Sequence, residues 1–302
     1  MLRQFAVVLT AFAGTSVFAA DIGIRKPGVP AAPHEVSSAC KETKGLPADA
    51  FGFATGSDVA DLGSWGLGLD TTTAIGQRGG SMAAFSPTIQ LSGSFFPCLE
   101  IGPYLNGSYT RFRAYGGGTT TTVNAGGGIE MKYKLLGRAP NGIGLTFALS
   151  PGIQATDPRP GANGTLYSNS YRLLADAEIM PGRLYGAMNI ELIQNWASIP
   201  AASTRASFFN VRGALTSPVQ EGLYLGAEAS YQRGYSGNWL NRYTGSAVYL
   251  GPTFFWQINE KFSLNGTWAY QVAGDAKAAP GRALGIDIFA RHQMRAKLGY
   301  SF

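Results

Sequence analysis

The 302 residues include 41 glycines, 12% aromatic residues and only 14% charged residues, with a net charge of +6. Soluble domains average about 25% charged residues and about 7% glycine, so this chain carries roughly half the usual charge and twice the glycine. Its mean hydropathy of +0.01 shows no hydrophobic excess. An apolar share of 45% argues against a disordered chain. No run of about 18 apolar residues follows the N-terminus, which argues against membrane-spanning helices. Two cysteines and two histidines leave no material for a zinc cluster. The basic residues are scattered among acids rather than gathered in a stripe, so no nucleic-acid partner is expected. This composition suits strands that are greasy on one face only.

In chain order, Arg3 precedes an apolar run from Phe5 to Phe18 that ends in small residues up to Ala19. That is the pattern of a cleaved secretory signal peptide, residues 1–19, too short to remain as a membrane anchor. Residues 20–61 carry Pro27, Pro30, Pro33 and Pro47 and show no clear periodicity. They read as a loosely ordered periplasmic leader, folded against or into the domain that follows.

From Ser64 the period is two. Trp65, Leu67, Leu69, Thr71 and Thr73 alternate with Gly66, Gly68, Asp70 and Thr72, and the same alternation recurs to the C-terminus. Strict alternation sends one set of side chains to each face of a sheet. Twelve such segments are predicted, at 64–75, 82–96, 99–114, 121–136, 142–154, 165–179, 184–196, 204–217, 222–233, 245–258, 262–273 and 284–302. Tight connections such as Phe96-Pro97-Cys98 and Met180-Pro181-Gly182-Arg183 alternate with longer stretches such as 155–164, 197–203, 234–244 and 274–283. An even strand count with short turns at one end and longer loops at the other marks an all-β, up-and-down transmembrane barrel over residues 62–302. Pro87, Pro103, Pro151 and Pro252 fall inside predicted strands, which calls for a bulge there or a shifted boundary.

The last segment alternates Ile288, Ala290, His292, Met294, Ala296, Leu298, Tyr300 and Phe302 with Asp287, Phe289, Arg291, Gln293, Arg295, Lys297 and Ser301, and closes on Leu-Gly-Tyr-Ser-Phe. This ending resembles the C-terminal signature of Gram-negative outer-membrane β-barrel proteins of the porin and transporter class. The resemblance implies a cell outer-membrane location, outer-membrane lipids as neighbours, and an insertion signal at Tyr300 and Phe302 read by the barrel-insertion machinery.

Taking the polar phase as lumenal gives a charged lining. Segment 4 supplies Glu130, Lys132 and Lys134, and segment 12 supplies Asp287, Arg291, Arg295 and Lys297. Segments 6 to 9 supply Arg172, Asp176, Glu178, Glu191, Arg212 and Glu228. A mostly basic wall then faces a mostly acidic one. Such a lumen suits passive diffusion of small hydrophilic solutes through a narrow channel. The same charges would equally pair across and fill a narrow barrel, leaving a structural or adhesive protein that acts through loops such as 234–244.

A lipid hydrolase would need His292, which lies about 25 Å above the C-terminus at the outer rim. No Gly-x-Ser-x-Gly elbow accompanies it, so no catalytic residue is assigned. Gly126-Gly127-Gly128 lacks the Lys-Ser/Thr partner of a phosphate loop, and neither cofactor nor metal is expected. Cys40, in the leader, and Cys98, in the first short turn, are both predicted on the oxidising periplasmic side and are expected to pair.

Overall fold

The computed structural model describes residues 46, 49–77, 80–157, 164–199, 202–278, 280–281 and 283–302. The expected signal peptide and most of the expected leader lie outside these residues. Twelve antiparallel strands follow one another: β1 (Trp65–Gln77), β2 (Gly80–Phe96), β3 (Leu99–Ala114), β4 (Thr119–Leu136), β5 (Ile143–Asp157), β6 (Gly164–Met180), β7 (Leu184–Ile199), β8 (Ala202–Gln220), β9 (Leu223–Ser236), β10 (Arg242–Gln257), β11 (Phe262–Ala276) and β12 (His292–Ser301). Each pairs with its sequence neighbours, and β12 closes on β1 from Gly66↔Ser301 to Ile75↔His292. Closure matters because lipid offers no partner for a free strand edge.

Alternation is read out on the two faces as predicted. Leu67, Leu69, Phe85, Leu105, Ile129 and Phe147 are exposed on the outer wall, while Asp70, Gln90, Glu100, Lys132 and Thr146 are buried inside. Aromatic pairs gird the barrel at the end that carries its first and last residues. Trp65 meets Phe95 at 4.9 Å, and Phe262, Tyr300 and Phe302 form a chain with centroid spacings of 4.8 and 5.7 Å. At the opposite end Tyr167 stacks on Trp196 at 5.7 Å and Trp268 on His292 at 5.9 Å. We call these the turn end and the loop end.

The prolines require neither bulge nor shifted boundary. Beside each, one stretch of pairing is skipped while the register is kept. The β2–β3 pairing passes from Phe85↔Tyr109 to Thr88↔Asn106 beside Pro87, and from Gln90↔Tyr104 to Gly93↔Ile101 beside Pro103. The β4–β5 pairing skips beside Pro151, and the β10–β11 pairing beside Pro252. Each proline still faces a partner on its other side, as in Pro87↔Thr71 and Pro151↔Asn169. A missing N–H removes a rung on one side of a strand only.

Connections at the loop end differ from expectation. The predicted loop 197–203 is largely strand, because pairing continues through Ala197↔Thr204 and Ser198↔Ser203. Small polar residues show little alternation, yet their main chains pair as well as any. At the other extreme, β12 begins only at His292, and residues 284–291 of the predicted strand lie outside it. Phe289 and Ala290 are buried there instead, with Phe289 packed against Phe208 and Tyr249. Burying that ring competes successfully with a few more rungs at the strand tip.

Gly126, Gly127 and Gly128 lie in β4, in a strand rather than a phosphate loop. A Cβ on Gly128 would collide with the Tyr104 ring and the Pro151 carbonyl. Glycine there lets Tyr104 lie flat across β4 and β5.

Candidate functional site: an occupied lumen

The inward wall is built by parity: every second residue of each strand faces the lumen. Of the residues predicted to line it, Glu130, Lys132, Lys134, Arg172, Asp176, Glu191, Arg212, Glu228, Arg295 and Lys297 are buried inside the barrel. Glu178 is only partly buried, near the turn end, where it accepts the Gly182 N–H at 2.5 Å. Asp287 lies in the 283–291 loop rather than on a strand. Arg291 is exposed, and its guanidinium donates to the Tyr270 hydroxyl at 2.9 and 3.1 Å. Tyr270 pairs with His292 on the outer face, so Arg291 lies outside the lumen. The Arg291 main chain still bonds to Gly76 and Gln271, so it is the long side chain that turns out over the rim to reach Tyr270.

The charges do not form opposed walls. Several pair locally, with acids on their own or nearby strands. Lys132 sits 3.1 Å from Glu100 and 3.8 Å from Glu130, and Arg172 also pairs with Glu130. Arg212 meets Glu191 at 2.9 Å. Arg295 clasps Asp70 with contacts of 2.7 to 3.1 Å across the closing seam. Removing one partner of such a buried pair costs about 3–5 kcal/mol, because the other is stranded without water.

The remaining lumenal partners come from the chain's own leader. Residues 49–61 cross the lumen, and the wall reads their main chain directly. The N–H groups of Phe53, Thr55 and Ser57 donate to Glu228 at 2.5 Å, Asn189 at 2.7 Å and Asp176 at 2.6 Å. Asn189 also donates back to the Thr55 carbonyl at 2.8 Å, so its amide grips both polar groups of one residue. The Ala60 N–H reaches Glu100 at 2.8 Å, and Arg295 donates to the Gly52 carbonyl at 2.6 Å. Asn265 donates to the carbonyls of Asp49 and Phe51. The segment thus touches β3, β6, β7, β9, β11 and β12 without joining the sheet.

Ion pairs and apolar contacts complete the seat. Asp49 pairs with Lys297 at 2.7 Å, and Asp58 with Lys134 at 2.9 Å and Arg138 at 2.6 Å. Arg138 opens α1 (Arg138–Asn141), the single turn between β4 and β5, and holds Asp176 at 2.7 Å with its other nitrogen. Burial pushes Asp58 up to about 7, opposed by Arg138 and reinforced by the neighbouring Asp176 carboxylate. Phe51 packs with Leu46, Tyr185, Ala187 and Ala214, and Phe53 with Ile193, Phe208, Tyr249 and Phe289. Fully burying each ring stabilises by about 1.5–3 kcal/mol. Gly144 makes the approach possible, since a Cβ there would strike the Ser57 hydroxyl and Asp176.

The loop end is also drawn inward. Tyr249 donates its hydroxyl to the Ala290 carbonyl at 2.5 Å, and Gln77 donates to the Ile288 carbonyl at 3.2 Å. The expected outer loop 234–244 shrinks to residues 237–241, because β9 and β10 extend into it. Ser207 ties it down, donating to the Gly237 carbonyl at 2.7 Å and accepting the Leu240 N–H at 3.1 Å.

His292 accepts the Trp268 indole N–H on its Nδ1 at 3.2 Å. That places the imidazole proton on Nε2, the nitrogen that a triad needs free to act as base. Cys98 is buried and disulfide-bonded. Its predicted partner, Cys40, lies outside the described residues. Among the described residues, no group of three or more His, Cys, Asp or Glu side chains is placed to hold a metal ion.

Several functional side chains were not singled out in the sequence. Asp70 and Glu100 sit on the inward phase of β1 and β3, so alternation alone marks them. Alternation also places Asn189 and Asn265 on the inward phase of β7 and β11, but Asp49 and Asp58 carry no such mark, because their roles exist only once their segment enters the barrel.

The barrel fold is shared with solved structures of low sequence identity. The β domain of the Bordetella autotransporter BrkA matches with a TM-score of 0.55 at 16% identity, covering 80% of this chain and all of that one. The COG4313 outer membrane channel from Pseudomonas putida F1 matches at 0.54 and 11% identity, over 86% of this chain and all of the other. The translocator domain of the autotransporter NalP from Neisseria meningitidis matches at 0.51 and 13%, over 80% and 90%. None of these is described as an enzyme. No curated protein matches the chain. Residues 47–302 match DUF6662, a family of unknown function, and the chain belongs to that family. The match begins at residue 47, so it takes in the lumenal segment as well as the barrel.

Proposed function

We propose that this member of the DUF6662 family is an outer-membrane channel for small hydrophilic solutes, closed in the present state by its own segment 49–61. The turn end, which also carries the first residue of β1 and the last of β12, then faces the periplasm, and the loop end faces outward. One observation carries the reading. The occluding segment forms no strand, and barrel side chains satisfy its main chain. It can therefore leave without breaking one rung of the barrel, whereas a filling built into the sheet could not. The wall it would expose is hydrophilic, with charges such as Arg212 and Glu191 or Arg295 and Asp70 paired within it.

The likeness to an outer membrane channel is consistent with this reading, as is a C-terminal Tyr300 and Phe302 read by the insertion machinery. An apolar outer wall with aromatic rims suits outer-membrane lipids as neighbours. Residues 1–19 serve as the export signal.

The test is single-channel recording in a planar bilayer. The refolded wild type should be almost silent, and a variant lacking residues 49–60 should conduct in discrete steps. A folded, heat-modifiable deletion variant that stays silent would refute the channel. Should the deletion fail to fold, Asn189→Leu serves instead, since it leaves the chain intact.

A further inference from the structure

The lumen is zoned. The buried charges of the strands lie in its turn half, up to the layer of Arg172, Glu191 and Arg212. Toward the loop end the inward wall of β2 to β7 is neutral, with Ser86, Thr88, Ser108, Asn124, Ser168 and Asn195 all buried. Across the lumen, β8 and β10 present Phe208 and Tyr249, joined by Phe289 from the 283–291 loop. One side of this region carries hydroxyl and amide groups beside Ala84 and Leu166, and the other is aromatic, packed against Phe53 while the segment is seated.

The polar side has unused hydrogen-bonding capacity. Ser86 Oγ, Asn124 Oδ1 and both polar atoms of Asn195 lack a partner, although each residue is at most 3% exposed. Asn124 uses only its Nδ2, which donates to Ser108 Oγ at 2.8 Å. Buried groups of this kind favour a ligand that brings both donors and acceptors. An ion would enter without a counter-charge, and a purely apolar solute would leave the amides unsatisfied. A sugar ring fits both walls: its hydroxyl edge meets the amides, and its C–H face lies on the aromatics.

We propose that the loop half of the lumen is a binding site for a short neutral oligosaccharide. This deepens the channel reading and rests on it for the route, but not for binding itself. The full-length Asn189→Leu protein is titrated with a panel of neutral trisaccharides (raffinose, maltotriose and cellotriose) and with trigalacturonate. Binding is read by calorimetry and by interruption of channel current.

At least one neutral sugar should bind and block, and trigalacturonate should do neither. Asn124→Leu should weaken binding at least about tenfold, as expected for a lost buried hydrogen bond. If that variant does not fold, Ser86→Ala is read in its place. Binding without any conductance keeps the site and overturns the channel. Conductance with no saccharide binding, or equal binding of trigalacturonate, overturns the site.

Discussion

Asn189→Leu isolates the hold on the lumenal segment. The two side chains share the same branched skeleton of heavy atoms, and the main-chain pairing of Asn189 with Leu174 and Arg212 does not involve the amide. What disappears is the grip on Thr55, whose N–H donates at 2.7 Å and whose carbonyl accepts at 2.8 Å. Stranding a buried polar group costs about 1–3 kcal/mol. Two such groups, with some relief from water, bring the loss to about 2–4 kcal/mol. At 1.4 kcal/mol per factor of ten, the unseated population should rise roughly 30- to 1,000-fold. Amide hydrogen exchange at Thr55 and Ser57 should accelerate by that factor, channel openings should become frequent, and barrel protection should stay unchanged. Unaltered exchange at Thr55 and Ser57 would show that Asn189 does not hold the segment, and the reasoning would fail.

Acid should tighten the seat. Asp58 is pushed up to about 7 when seated and returns to an ordinary carboxylate value when released, so the seated state binds the extra proton. Seating is therefore favoured by up to about 1.4 kcal/mol for each pH unit lowered within that window, and the gain is lost as pH rises through 7. Asn189→Leu channels should open less at pH 5.5 than at pH 8, and Asp58→Asn should flatten that dependence in the recording. Gly128→Val drives a Cβ into the Tyr104 ring and the Pro151 carbonyl, so it should cost more than about 3 kcal/mol. Loss of the heat-modifiable folded band on a gel is the readout. Thiol titration of the denatured mature protein should find no free thiol until a reductant is added and two afterwards, since Cys98 is bonded and the chain has two cysteines.

Much of this protein is legible from period two alone. Leu67 and Leu69 face outward and Asp70 inward because a strand turns its side chains by half a rotation per residue, whatever surrounds it. That rule locates the twelve strands, the closed barrel and most of the buried charges. It also explains the failures. Arg291 stands in the alternating series of segment 12 and its main chain still bonds to Gly76 and Gln271, yet its side chain turns outward over the rim to Tyr270. The choice between pairing and burying Phe289 depended on Phe208 and Tyr249, more than 30 residues away in sequence. Segment 49–61 shows the limit most clearly. It has no period, because side chains from β3, β6, β7, β9, β11 and β12 satisfy its main chain rather than a neighbouring strand. Alternation is a local property and can be read one residue at a time. The occupant of the lumen is decided only when distant walls close around it, since its hydrogen bonds have no partners until then.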